Sequence, residues 1–369
     1  MKNFIVTKIN LRGRFNGFIK KMNRVIRNDV LHILKKVNLE KLNRKKILIT
    51  GSNGLIGTYL ISTLYLANQV LGLDTQVIGL SKHGPNSTLR EFQNDSHFSF
   101  YPINLVNSEL NYDVDYIVHG ATYAKPKKFL KNKLATIKLN TEVTEKLLKL
   151  CIKKNSIFLF LSSSEIYGDP PKEYFPTPET FPGNCSTTST RAAYAESKRL
   201  GETLCGIFRE EYHLDIHIAR ISAVYGPGIS IHDQRVLGHF LRKALIKKHI
   251  DLLDKGEQIR TWCYISDCIV MLLDILLHGQ SFIYNVGGRD TVSIKQLAEI
   301  ISKLTQSTYS LSPQTKQVDF LKQASNWVEV DIQKISNEFK LGEFTNLRKG
   351  LQNTIQWNQD VILPELRKE

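Results

Sequence analysis

The sequence predicts a doubly wound parallel α/β sheet with a smaller, interleaved α/β portion, and three observations predict it. Short apolar runs alternate with helix-patterned segments through the first two thirds of the chain. A glycine-spaced turn, Thr50-Gly51-Ser52-Asn53-Gly54-Leu55-Ile56-Gly57, joins the first run to the first of these helices. No internal repeat or low-complexity linker separates the later segments from the earlier ones, so the two portions form one compact unit. At 369 residues the chain holds one large or two modest domains, with ample core for three layers.

Residues 1–45 read as a basic, partly helical N-terminal extension. The formal net charge is +15, and residues 1–46 carry 14 Lys or Arg against Asp29 and Glu40, which leaves the body nearly neutral. A basic leader suits an anionic membrane surface, nucleic acid or an acidic partner. Confined to the front of the chain, it reads as a solvated extension with peripheral membrane contact open to it, and nucleic acid is not an expected partner. Residues 25–42 have helical apolar spacing in Val30, Ile33, Leu34 and Val37, and are expected to pack on the domain edge. Residues 1–21 read as more dispensable, with Met22 an alternative start.

The first strand, Ile47-Leu48-Ile49, runs into the glycine turn, and a helix pattern follows over residues 58–66. A buried parallel strand ending in glycines lets backbone approach a pyrophosphate, and the next helix offers unpaired N–H groups and a positive dipole end. That order of strand, turn and helix marks a dinucleotide site, with Gly51, Asn53, Gly54, Leu55, Ile56 and Gly57 expected at the cofactor. The second strand, Gln76-Val77-Ile78-Gly79-Leu80, ends at Ser81-Lys82. A carboxylate there would hold the adenosine ribose of NAD, whereas a basic residue tolerates the 2'-phosphate of NADP. Ser81 and Lys82 lean towards NADP and leave NAD open.

Strands three to five follow as Phe98-Ser99-Phe100-Tyr101, Tyr116-Ile117-Val118-His119 and Ile157-Phe158-Leu159-Phe160-Leu161, with helices over residues 135–153 and 194–212. Ligands of such a sheet gather at the carboxyl ends of its strands. The chemistry is therefore expected just after Leu161, in Ser162-Ser163-Ser164-Glu165-Ile166-Tyr167-Gly168. Residues 46–221 form the dinucleotide-binding domain with the catalytic residues, and residues 222–369 mainly the substrate-binding portion. The latter has helices over residues 237–248, 266–278 and 294–304 and short strands at Tyr284-Asn285-Val286 and Val328-Glu329-Val330.

Tyr194 and Lys198 lie four residues apart on a predicted helix, so they share a face. An ammonium beside the phenol lowers its pKa and makes tyrosine a usable base. Five cysteines, Cys151, Cys185, Cys205, Cys263 and Cys268, have neither metal-ligand spacing nor an even disulfide framework, so no metal is expected and a reducing, cytoplasmic setting fits. No apolar run approaches membrane-spanning length.

The glycine spacing together with Tyr194 and Lys198 resembles the extended short-chain dehydrogenases, and within them the NAD-dependent epimerase/dehydratase family acting on nucleotide-diphosphate sugars. The resemblance covers residues 46–357. Its further landmarks are His119-Gly120-Ala121, Ser163-Ser164-Glu165-Ile166-Tyr167-Gly168, Tyr225-Gly226-Pro227-Gly228, residues 260–267, Tyr284-Asn285-Val286-Gly287, and Gly350-Leu351 ahead of Thr354-Ile355 and Trp357. Residues 170–202 are most similar to UDP-glucuronate decarboxylases, with nucleotide-sugar 4,6-dehydratases next. Five positions depart from that pattern. The acidic residue after strand two is missing, the Asp of the adenine-contacting pair is Asn104, and the catalytic threonine is Ser163. Ser222-Ala223 replaces the asparagine before Tyr-Gly-Pro, and Lys125 stands where a small residue is usual.

The resemblance implies a Rossmann-type fold, a homodimer, and NAD as cofactor, with Ser81, Lys82, Asn104, Leu105, Ala121, Asn140, Tyr194 and Lys198 joining the glycine turn around it. It implies oxidation at sugar C4, with Tyr194 taking the hydroxyl proton, Lys198 holding the nicotinamide ribose and Ser163 sharing the hydrogen bond to the developing oxygen. Glu165, beside Ser164, would move a proton at C5, which leads to decarboxylation of a UDP-glucuronate-like substrate or to 4,6-dehydration. Simple 4-epimerases and 4-ketoreductases, the alternative, need no such acid. Arg260 and Arg235 are expected on the substrate diphosphate, with Asn184 and Arg191 as substrate-loop contacts. Intact Tyr194 and Lys198 argue against a non-catalytic sensor or scaffold.

Overall fold

The computed structural model describes residues 22–229, 233–311 and 325–366. Six parallel strands build the first half: β1 (Lys46–Thr50), β2 (Gln76–Ser81), β3 (Phe98–Pro102), β4 (Tyr116–His119), β5 (Ile157–Ser163) and β6 (Ile216–Ile221). Seven further strands follow: β7 (Ala223–Tyr225), β8 (His249–Leu252), β9 (Ile259–Tyr264), β10 (Ile283–Val286), β11 (Asp290–Ser293), β12 (Thr308–Leu311) and β13 (Trp327–Val328). The main sheet runs β10-β6-β5-β4-β1-β2-β3 and is parallel throughout. Helices cover both faces, so central strands such as Ile47-Leu48-Ile49 are buried on each side, which is why they read as unbroken apolar runs. The expected doubly wound sheet is present.

Strand order reverses between β1 and β4, and the crevice at that switch point is where the glycine turn lies. The predicted helix over residues 135–153 is two helices, Lys133–Asn140 and Glu142–Lys154, broken at Thr141 with φ −122° and ψ −73°. The Thr141 hydroxyl bonds back to the Ile137 carbonyl at 2.9 Å, alongside its own N–H at 3.0 Å, a contact that bends helices. β5 extends two residues beyond its apolar run. Ser162 and Ser163 are thereby strand residues, paired with Arg220 and Ile221 of β6.

The division at residue 222 is not spatially clean. β10 returns to the main sheet beside β6, and the buried helix Ile265–His278 packs on that sheet as well. The remaining strands form two small sheets, β11-β9-β13 with β7 also pairing β9, and β12-β8.

The N-terminal helical pattern resolves into α1 (Arg24–Lys36) and a 3-10 turn, Glu40–Leu42. Val30, Ile33 and Leu34 are fully buried against α2 (Leu55–Leu71) and helix Ile265–His278. A polar bond reinforces the seam: the Asp29 carboxylate accepts from Tyr59 Oη at 2.8 Å and Tyr264 Oη at 2.7 Å. Burial raises its pKa to about 6 despite those two bonds. This helix is therefore part of the folded body rather than a solvated extension, while residues 1–21 lie outside the described residues. Among the described residues no helix is long and apolar enough to cross a membrane.

Candidate active site

One cleft of about 1270 Å³ runs along the carboxyl ends of the strands and gathers most of the expected site residues. At one end lies the glycine turn. Gly51 has φ +72°, and a Cβ there would sit 2.7 Å from the Gly120 carbonyl oxygen. A Cβ on Gly57 would meet Gly51 O at 2.6 Å, so the first turn of α2 lies directly against the loop. Gly54 caps α2 without a side chain, and the opening N–H groups of the helix face the cleft.

Below the turn, β1 and β4 are locked together. His119 is buried between Leu139 O at 3.0 Å from Nε2 and Thr50 Oγ1 at 2.7 Å from Nδ1. Burial, helped by the charge of Lys198, lowers its pKa to about 3, so the ring is neutral. A carbonyl only accepts, so Nε2 carries the proton and Nδ1 accepts from the Thr50 hydroxyl. Thr50 Oγ1 in turn accepts from the N–H groups of Gly120 and Ala121, each at 3.2 Å, which fixes the β4 loop on the cleft floor.

β5 delivers Ser163 to the cleft, where it hydrogen-bonds the Tyr194 phenol. The Glu165 N–H bonds back to Ser163 Oγ at 3.2 Å and starts the 3-10 turn Ser164–Tyr167. Tyr194, near the start of helix Ala193–Tyr212, stacks on Phe129 with centroids 5.3 Å apart and planes 14° apart. Burial raises its pKa to about 12; the Ser163 bond and Arg235 pull it down, and Glu165 pushes it up. Lys198 does not line the cleft. Its ammonium donates to Leu161 O at 2.6 Å and lies 4.4 Å from the Phe160 ring centroid. Burial lowers its pKa to about 7, with Glu202 opposing. The expected lowering of the Tyr194 pKa is therefore not what this arrangement produces: burial dominates, and the lysine addresses a strand carbonyl.

At the far end of the cleft, Asp233 is 3 % exposed and holds two cations, Lys125 at 3.0 Å and Arg235 through a two-pronged contact at 2.8 and 3.2 Å. Burial raises the Asp233 pKa, but Arg235 and then Lys125 outweigh it and bring the carboxyl to about 2. Arg260 lines the cleft with three donations to carbonyls, of Ile259, Asn326 and Ser325. Its pKa is lowered by burial first, then by Arg191, with Glu165 and Asp169 opposing. Arg191 lies 5.9 Å from the Phe129 ring centroid. Asn184 also lines the cleft, yet its amide is taken up by the backbone of Asp169, at 2.7 Å to the N–H and 2.6 Å to the carbonyl.

The cleft thus brings together the turn residues, Ser81, Lys82, Asn104, Leu105, Ala121, Ser163, Ser164, Glu165, Asn184, Arg191, Tyr194, Arg235 and Arg260. It leaves out Lys198 and Asn140. Asn140 is fully buried, and its amide donates to Ser197 Oγ at 2.9 Å, tying helix Lys133–Asn140 to the helix of Tyr194. Sequence reasoning missed Phe129 and the Asp233 junction. It also missed the network behind β5, where Glu202 accepts from Ser162 Oγ at 2.5 Å and from Arg220, and Arg220 donates to Tyr167 Oη at 3.1 Å. The signal available was Arg220 itself, a charge inside the apolar run Ile216–Ile221.

The chain matches the family model described as NAD dependent epimerase/dehydratase family over residues 47–287. UDP-glucuronic acid decarboxylase 1 of Xenopus tropicalis is 30% identical over 322 residues, 86% of this chain and 73% of that protein. UDP-glucuronic acid decarboxylase 6 of Arabidopsis thaliana is 30% identical over 308 residues, 83% of this chain and 86% of that protein. Among solved structures, a Bacillus cereus UDP-glucuronic acid 4-epimerase in complex with UDP-glucuronic acid and NAD aligns with a TM-score of 0.73 at 22% identity, covering 86% of this chain and 99% of that one. A Bacillus anthracis dTDP-glucose 4,6-dehydratase in complex with NAD gives 0.71 at 21% identity, covering 86% and 97%.

Proposed function

This chain belongs to the NAD-dependent epimerase/dehydratase family, and from that membership and its cleft we propose that it decarboxylates a nucleotide-diphosphate hexuronate such as UDP-glucuronate. The observation that carries the reading is the meeting of Ser163, Tyr194 and Glu165 in the same cleft as the glycine turn. The residues fit a nicotinamide dinucleotide, because glycines at 51 and 57 let the turn close tightly on the β4 loop and on the first turn of α2, and that turn and the N-terminus of α2 line the cleft. Gly51, Asn53, Gly54, Leu55, Ile56 and Gly57 would hold the pyrophosphate, and Ser81, Lys82, Asn104, Leu105 and Ala121 the adenosine side and floor. When bound, the dinucleotide supplies reversible hydride acceptance at sugar C4.

The chain's own residues do the rest. Tyr194 takes the C4 hydroxyl proton, and Ser163 donates a hydrogen bond to the oxygen as it becomes a ketone. Lys198, one helical turn beyond Tyr194, holds the end of β5 beneath the site through the Leu161 carbonyl. The C5–C6 bond then breaks, carbon dioxide leaves, and the electron pair moves into an enolate whose C4 oxygen faces Ser163 and Tyr194. Glu165 delivers the proton that C5 requires. Arg235 and Arg260 are assigned to the diphosphate, with Arg191 and Asn184 shaping the substrate loop. Because the Asn184 amide is already taken by the Asp169 backbone, it acts by setting the shape of that loop.

The reading includes a homodimer. Leu134 is 76 % exposed and Leu200 51 %, and with Ile137 and Ile207 they give the packed helices Lys133–Asn140 and Ala193–Tyr212 outward apolar positions suited to a second copy. A cytoplasmic location, where nucleotide sugars are made and thiols stay reduced, accords with it. The test is incubation with UDP-glucuronate, GDP-mannose, dTDP-glucose and UDP-N-acetylglucosamine, read by mass. Loss of carbon dioxide from UDP-glucuronate is expected. Loss of water from a neutral hexose selects a 4,6-dehydratase, and unchanged mass with a shifted NMR spectrum selects a 4-epimerase.

A further inference from the structure

We propose that Lys125 reads the C6 carboxylate of the sugar, so that the cleft selects a nucleotide-diphosphate hexuronate over the corresponding neutral hexose. This rests on the proposed oxidation at C4, with the C4 hydroxyl at Tyr194 and Ser163, and it names the group that recognises the acid. Three observations carry it.

The first is position. Lys125 lines the cleft at the end of the β4 loop and caps the helix Pro126–Lys131, where its carbonyl accepts from the N–H groups of Lys128 at 2.8 Å and Phe129 at 3.0 Å. Phe129 is the ring that stacks on Tyr194, so Lys125 stands one helical turn from the group that aims the base. Arg235, which shares Asp233 with Lys125, is near enough to pull the Tyr194 pKa down. In a pyranose the C6 substituent is carried on the carbon next to C4, so a sugar with its C4 hydroxyl at Tyr194 brings C6 into this neighbourhood.

The second is charge. Lys125 and Arg235 together bring two positive charges to the single carboxylate of Asp233. Arg235 grips that carboxylate with two nitrogens, whereas Lys125 makes one contact at 3.0 Å and its side chain is 38 % exposed. An ammonium has three donors, so the lysine retains capacity for a second anion. The third is the neighbouring acid. Glu165 lines the cleft and its charge acts on Tyr194, so a C6 carboxylate enters beside a like charge and loses affinity unless a cation offsets it. Lys125 is that cation. A neutral hexose brings no charge to the corner and forfeits the pair. When carbon dioxide leaves, the negative charge moves to the C4 oxygen and Lys125 is left with Asp233 alone, so its contribution lies in binding the acid rather than in breaking the bond.

The experiment is calorimetric titration of the full chain carrying Tyr194→Phe, in the presence of NAD, with UDP-glucuronate, UDP-glucose and UDP. Removal of the base keeps the sugars unconsumed. UDP-glucuronate should bind about tenfold more tightly than UDP-glucose, with the margin shrinking as salt rises, because a partly exposed pair is screened. Adding Lys125→Gln should abolish the margin and leave the affinities for UDP-glucose and UDP as they were, while Lys125→Arg should retain it. Equal binding of the two sugars before that change, or a margin that survives it, overturns the role of Lys125 and leaves decarboxylation to its own mass assay. A fall in all three affinities together makes Lys125 a structural residue and overturns the role as well. Selectivity that depends on Lys125, in a parent chain that releases no carbon dioxide, supports the role and overturns decarboxylation alone.

Discussion

Lys198 gives its ammonium to the carbonyl of Leu161 at 2.6 Å, beneath the cleft floor, although it lies one helical turn from Tyr194. Burial holds its pKa near 7 against a usual 10.5. The protonated form is therefore disfavoured by folding; the cost is complete below about pH 7 and disappears as pH climbs towards 10.5. Lys198→Met should raise the melting temperature at pH 6, with the gain shrinking at pH 9, while turnover falls about 100-fold. Thermal melts at both pH values and an initial-rate assay check the two halves separately.

Tyr194 stacks on Phe129 and bonds Ser163, so two contacts aim its phenol. Tyr194→Phe retains the ring and the stack and removes the base, and turnover should drop about 1000-fold with dinucleotide affinity unchanged. Ser163→Ala should cost about 100-fold in kcat through the lost donor to the C4 oxygen. Steady-state rates and a dinucleotide titration on the same preparations separate chemistry from binding.

Asp233 organises the far wall by holding Lys125 and Arg235 at once. Its pKa of about 2 keeps it ionised throughout the working range. Asp233→Asn should free the Arg235 guanidinium from its two-pronged holder and raise KM for the nucleotide sugar about tenfold, with a smaller change in kcat. An equal fall in kcat and kcat/KM would assign Asp233 to the chemistry instead.

Asp29 links the N-terminal helix to Tyr59 and Tyr264, and its pKa is raised to about 6. A raised carboxyl contributes stability below its unfolded value of 3.8 and loses that contribution as pH rises through 6. Asp29→Asn, neutral at every pH, should be more stable than the parent by about 2 kcal/mol at pH 8 and no more stable at pH 4. Urea unfolding at the two pH values reads the difference.

The parallel sheet was legible because its strands are buried on both faces and the glycine turn can serve few other purposes. Ser163 and Glu165 were legible because they stand at and just after the end of β5, which the sheet brings to the crevice, and Tyr194 through its four-residue spacing from Lys198. What was not legible depends on rotamers and on pairings distant in sequence. An i, i+4 spacing puts Lys198 on the face of Tyr194 but does not say that its chain turns inward to Leu161. Asn140 occupies a position a cofactor contact would suit, yet a buried amide needs a partner and Ser197 provides one. Lys125 and Asp233 are 108 residues apart, and only the fold shows that they meet. The end of α1 was readable from its apolar stripe; its anchorage through Asp29 was not, since one acidic residue among basic ones looks solvated.

The most direct test is turnover of UDP-glucuronate in D2O, followed by mass and NMR analysis of the sugar, for the parent chain and for Glu165→Gln. The parent should release carbon dioxide and give a product carrying one deuterium at C5, and the variant should form little of it. A sugar that keeps its carboxylate, or a Glu165→Gln variant that makes the C5-deuterated product at the parental rate, would contradict decarboxylation with Glu165 as the proton donor.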